Sequence, residues 1–297
     1  LAAIAACRPE FIIPLGASAM RFFLPPAKLE SAHGRPHQWQ HPANGPVTVV
    51  PMYHPAAAHP SRNPGLVTVI TEDWEKVGEI LRGELGGRLG QYRQADVVEA
   101  KRVLENVSSW LALDFETPDP RWRGTFQAVR VRPIGVSLAT RVGEAVYVPG
   151  ENIEFLRTVL EDPAVPKLAH NAVFENIVAR NCGIRPTNLH CTKLMAGVLR
   201  TSSTHLKRLT WQKLGVEQTR YEDVDWSDLE QVVQYGSADS DLALRLAEQF
   251  KPLLEAEGLW ELYELERACL PVIAEMTITG VALDTAPIVR LGERMTA

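Results

Sequence analysis

Asp114 and Glu116 close the apolar run Trp110-Leu111-Ala112-Leu113-Asp114-Phe115-Glu116-Thr117. The run reads as a buried strand with Leu111, Leu113 and Phe115 on one face, so both carboxylates point to the same side. Two adjacent acids repel each other unless a cation sits between them. Hard divalent ions that take oxygen ligands suit such a pair, Mg²⁺ or Mn²⁺ first. A surface strand end with two solvated acids is the plainer alternative. Glu175 falls in the first turns of a helix that follows a strand, and Tyr235 and Asp239 stand on one face of another helix. Asp241 lies off that face. Acids from three separated segments are what a two-cation site needs. One ion lowers the pKa of a water and the other stabilises a leaving oxygen of a phosphodiester, with phosphate and water filling open positions. Tyr235 would then orient the attacking water. Each residue alone also has an ordinary role: Tyr235 as a core-edge aromatic, Asp239 as a solvated helix acid, Glu175 as a complement to the helix dipole. Asn171 serves as a helix N-cap as readily as a substrate contact.

The elements that must hold these groups follow from periodicity. Strand 111–116 is followed by a polar loop, 117–130, then by strands over 132–140 and 145–148 that make an antiparallel meander. A helix over 152–160, a short strand over 167–170 and a helix over 172–181 come next. Residues 189–199 read as helical after a strand-like lead, and helices over 204–214, 227–234 and 236–250 complete a strands-then-helices domain of the α/β type. Ahead of it lie a strand over 11–16, a helix over 18–24, a long loop over 25–46, a strand over 47–52 and a helix over 72–82. Glycines at 83, 86 and 87 mark a boundary. The last 40 or so residues are helical, with Leu259, Leu262, Leu265, Leu270, Ile273 and Met276 as the apolar stripe.

The chain of 297 residues is long enough for two domains, and 45% hydrophobic with 23% charged residues is an ordinary globular balance. The net charge of −5 gives no global basic signal for nucleic acid, though a metal centre and a local groove do not require one. Cys7, Cys182, Cys191 and Cys269 are scattered without a CxxC pair, which fits a reducing, cytoplasmic setting. No apolar run approaches 18 residues, so no membrane partner is expected. The chain opens on Leu1 and stops at Ala297 within a helical pattern, which reads as a fragment open at both ends.

The order Asp114-Phe115-Glu116, then His170-Asn171-Ala172-Val173-Phe174-Glu175, then Tyr235-Gly236-Ser237-Ala238-Asp239 resembles the DnaQ-like 3′–5′ exonucleases, and more closely the proofreading domain of family A DNA polymerases. Ile134–Leu138 and Ala145–Pro149 resemble that family's second and third strands, and Thr204–Leu209 its segment before the third motif. The resemblance implies a ribonuclease H-like α/β fold, a mixed sheet flanked by helices, over 100–255. It implies two Mg²⁺ or Mn²⁺ ions, with Asp114, Glu116, Glu175 and Asp239 as metal-binding acids and Tyr235 orienting the water. Asn171 and Phe174 become candidate DNA contacts. The subclass that uses His places it five before the last Asp, where this chain has Gln234. The second motif more often carries Asp where this chain has Glu175, which keeps the charge and reaches one methylene further.

Residues 256–297 resemble the start of the polymerase thumb in the same family, which implies a polymerase domain in cis beyond residue 297. Residues 1–83, with Arg8–Ala19, Gly34–His37, Val49–Ala57 and Arg62–Pro64, resemble the C-terminal half of an iron–sulfur uracil-DNA glycosylase, a partial α/β domain. There His54 would match the histidine that stabilises a uracil anion. The cluster itself is not expected in this chain, and residues 84–99 read as a linker. The expectation is part of a phage-like family A polymerase, acting on a single-stranded or frayed DNA 3′ end. An RNA-trimming nuclease of the same fold and a non-catalytic scaffold that positions DNA are the rival readings.

Overall fold

Short apolar strands need a partner face, and the chain supplies it twice. The computed structural model describes all residues except 62, 85–86, 108, 118–128 and 297. Contacts divide the chain into two units: Leu1–Leu89 together with Ala196–Arg220, and Gly90–Met195 together with Tyr221–Ala297.

In the first unit, β1 (Phe11–Ile12), β2 (His37–His41) and β3 (Gly45–Val49) form a sheet of order β1-β3-β2. The region 25–46, expected as loop, thus holds a strand and the short helix Leu29–Ala32. Gly45 and Pro46 pair with His41 and Gln40, so the Pro/Gly signal marked a hairpin, not an unpaired segment. The helix expected over 72–82 starts earlier, at Leu66. Segment 196–220 is part of this unit through a buried charge network. Arg208 Nη2 donates to Asp73 Oδ1 at 2.6 Å, and Asp73 Oδ2 lies 2.5 Å from His33 Nδ1. Trp211 Nε1 donates to the Gly34 carbonyl at 2.9 Å.

The second unit carries a six-stranded mixed sheet: β4 (Gln91–Gln94), β5 (Leu111–Glu116), β6 (Gly135–Arg141), β7 (Glu144–Pro149), β8 (Lys167–Ala169) and β9 (Leu189–Cys191). The order is β4-β7-β6-β5-β8-β9. The meander β5-β6-β7 is antiparallel, as the sequence predicts, and β5, β8 and β9 run parallel. The expected linker is corrected in part: Gln91–Gln94 pair with β7 as the sheet's edge, and helix Val97–Leu104 begins directly afterwards, capped by Asp96. Four polar-looking residues conceal this strand because only Tyr92 is buried. Most of the polar loop expected over 117–130 lies outside the described residues.

Leu111, Leu113 and Phe115 meet Val136, Leu138, Val146 and Val148 in the main core, with Leu156, Leu160 and Val178 over them. The opposite sheet face receives the helix Leu229–Ala256, which packs on β5, β6 and β7. The two helices expected over 227–234 and 236–250 are therefore one. Its N-cap Asp228 accepts from the Glu230 and Gln231 amides, and Gly236 lies buried in its middle. All four cysteines are free, and no helix among the described residues is long and apolar enough to cross a membrane.

Candidate functional site

Strand period places Ala112, Asp114 and Glu116 on the face opposite the Leu-Leu-Phe core, beneath the helix Leu229–Ala256. There the sequence-predicted acids meet. Asp114, Glu116 and Asp239 each offer a carboxylate oxygen, all within 4.8 Å of one another. Glu116 is 5% exposed, and its Oε1 is buried with no hydrogen-bond partner. Burial first, then the charges of Asp114 and Asp239, push its carboxyl well above the usual range. A partly buried set of like charges that all offer oxygens is what hard, oxygen-seeking divalent ions neutralise. The donor set therefore fits such ions.

Glu175 takes a different position from the three. Strand β8 pairs with β5 only at Leu111 and Ala112, which leaves the Phe115 amide beyond the end of the ladder. Glu175 Oε2 accepts from that amide at 2.9 Å. The extra methylene relative to Asp is thus used to reach a backbone donor. Burial first, then Asp114, raise the Glu175 carboxyl well above its usual range, while the Phe115 amide opposes the shift.

Tyr235 is half-buried one helical turn before Asp239. Trp226 packs edge-on against its ring at 5.5 Å and Tyr221 at 6.4 Å. Burial first and Asp239 second raise its phenol, so it is a neutral donor at working pH. Asn171 sits at the N-cap of the helix Ala172–Asn181 without a side-chain cap bond, and its carbonyl accepts from the Phe174 amide at 2.8 Å. Phe174 packs into the core beside Ile177 and Ala274. His54, in the first unit, is exposed, and its Nδ1 accepts from the Ala56 amide at 3.1 Å as a helix cap.

Asp241 proves structural. It is fully buried, and its oxygens accept from the Tyr92 hydroxyl and the Gly143 amide, both at 2.7 Å, and from Arg245. It ties the edge strand and the β6–β7 turn to the long helix. Two residues that the sequence reading passed over belong to the site's walls. Tyr147 and Gly236 both lie against Glu116: a Cβ at Gly236 would come to 3.0 Å of Glu116 Cγ and 3.3 Å of Tyr147 Cδ2. The only signal for Gly236 was a glycine inside a helical pattern, a substitution that usually has a packing reason.

Comparison with known proteins locates this architecture. Residues 92–255 match a family described as 3′–5′ exonuclease. DNA polymerase I of Rhizobium leguminosarum is 33% identical over 149 residues, which is 46% of this chain and 15% of that protein. The chain spans 15 to 24% of the length of the curated relatives it matches. Among solved structures, Brucella melitensis NrnC superposes with a TM-score of 0.55 at 22% identity, over 65% of this chain and 95% of that one. Escherichia coli RNase D, described as an exoribonuclease, gives 0.52 at 17%, over 65% of this chain and 52% of that one. At these identities both likenesses speak for the fold alone.

Proposed function

Since the chain belongs to the 3′–5′ exonuclease family, we propose that its second unit hydrolyses the terminal phosphodiester at a DNA 3′ end, as the proofreading part of a family A DNA polymerase. The observation that carries this reading is the convergence of Asp114 and Glu116, from the strand, with Asp239, from the helix that also presents Tyr235. Asp114, Glu116 and Asp239 would hold Mg²⁺ or Mn²⁺, with Glu175 acting on the site from the Phe115 amide. Two such ions, when bound, supply a more acidic water and charge neutralisation at the leaving oxygen. The chain's own residues do the rest. The Tyr235 phenol, kept neutral by burial, donates or accepts one hydrogen bond that aims the water. The carboxylates fix the ions from a rigid strand and a rigid helix, so the reacting groups need little reorganisation.

DNA is favoured over RNA because the curated relatives are DNA polymerase I proteins. The likeness of fold to RNase D supports RNA trimming as the second reading. The helical tail exposes Leu265, Met276, Val281 and Leu283, which suits a polymerase domain in cis as the partner of this unit. The proposed activity does not draw on His54.

The test is digestion of 5′-labelled single-stranded DNA and RNA with Mg²⁺ or Mn²⁺. A ladder shortening from the 3′ end of DNA is expected, lost with EDTA and reduced more than about 100-fold in Asp114→Ala. Digestion of RNA alone would move the reading to the trimming nuclease. No digestion by the folded protein would leave a DNA-positioning scaffold.

A further inference from the structure

Tyr147 is 1% exposed on β7, and its hydroxyl has no hydrogen-bond partner. Cross-strand register aligns Tyr147 with Ser137 and Ser137 with Asp114, so the three share the face that carries the acids. The ring leans along its strand until the hydroxyl fills the place of the missing side chain at Gly135: a Cβ there would lie 2.1 Å from it. Gly135 is the direct antiparallel partner of Glu116, and such pairs have Cα atoms only about 4.5–5.5 Å apart. The buried orphan donor thus stands beside Glu116, whose Oε1 is a buried orphan acceptor. On the other side, Gly236 leaves room for the Glu116 carboxylate and the Tyr147 ring edge together. Two glycines therefore shape a slot that holds one phenol against one carboxylate. A hydroxyl left unsatisfied in a core is costly, and a carboxylate is the strongest acceptor it could meet.

We propose that Tyr147 is a positioning residue: its hydroxyl, without a partner in this structure, donates to the Glu116 carboxylate when the site takes up its ions, and so fixes the orientation in which Glu116 faces Asp114 and Asp239. The bond occupies one oxygen and leaves the other for a divalent ion. The role assigned to Tyr147 is to orient Glu116, whereas that assigned to Tyr235 is to orient the water. The inference rests on the metal-dependent reading of the site.

The test compares wild type, Tyr147→Phe and Ser237→Ala, the last removing another buried orphan hydroxyl, from the helix Leu229–Ala256. Each is measured for Mn²⁺ affinity by calorimetry, for thermal midpoint, and for digestion of 5′-labelled single-stranded DNA across a Mn²⁺ titration. Tyr147→Phe should bind Mn²⁺ about 10- to 100-fold more weakly, with an unchanged or higher midpoint and with activity restored at high Mn²⁺. Ser237→Ala should bind as wild type does. Wild-type affinity in Tyr147→Phe, or an equal loss in Ser237→Ala, overturns the assignment. If wild type binds Mn²⁺ but does not digest the DNA, the DNA-nuclease reading fails while Tyr147 is still judged by affinity. If wild type binds no Mn²⁺, both fall.

Discussion

Glu175 shows how one methylene changes the task of a carboxylate. It accepts from the Phe115 amide and stays under the influence of Asp114. Glu175→Ala leaves that amide buried and unpaired, and should cost about 1–3 kcal/mol in a urea titration. Glu175→Gln keeps an acceptor oxygen and removes the charge. Because the folded carboxyl is raised, its contribution to stability is fully present below the ordinary Glu value and is lost as pH rises through the folded one. In metal-free buffer Glu175→Gln should therefore equal wild type at pH 4 and exceed it at pH 8. A gap that is widest at pH 4 would contradict the burial argument.

At the scale of the element, the helix Leu229–Ala256 carries both Tyr235 and Asp239 because Gly236 does not interrupt it. Tertiary packing on β5, β6 and β7 outweighs the roughly 1 kcal/mol that glycine costs in a helix. Gly236→Ala recovers that intrinsic preference but brings a methyl to 3.0 Å of Glu116. The expected result is stability within about 1 kcal/mol of wild type together with weaker Mn²⁺ binding. Lost stability with unchanged Mn²⁺ affinity would show that the helix, rather than Glu116, gives way.

Over the whole molecule, the chain leaves the sheet-bearing unit after Met195 and returns at Tyr221, and the intervening residues belong to the first unit. Arg208 is the cation of a pair with Asp73, which is 1% exposed. Removing one partner of a buried pair leaves the other uncompensated. Arg208→Met should destabilise the first unit by about 3–5 kcal/mol, read as lost protection of residues 29–34 in hydrogen exchange. Retained protection there would mean that the contact with His33 is enough to hold Asp73 in place.

The sequence by itself determined the acids and the order of the elements that present them. Alternation in β5, β6 and β7 and the spacing of Tyr235 and Asp239 are local periodicities, and local sterics fix which side chains share a face. It also carried the antiparallel meander, since short connections leave few other pairings. Only the tertiary structure decided what lies between segments far apart in the chain: that Glu175 meets the Phe115 amide, that Asp241 is a fastener, that Gln91–Gln94 is a strand, and that the Tyr147 hydroxyl fills the space over Gly135. Those outcomes depend on register and on space left by small residues. Neither leaves a period in the sequence, because each is set by a partner contributed from elsewhere.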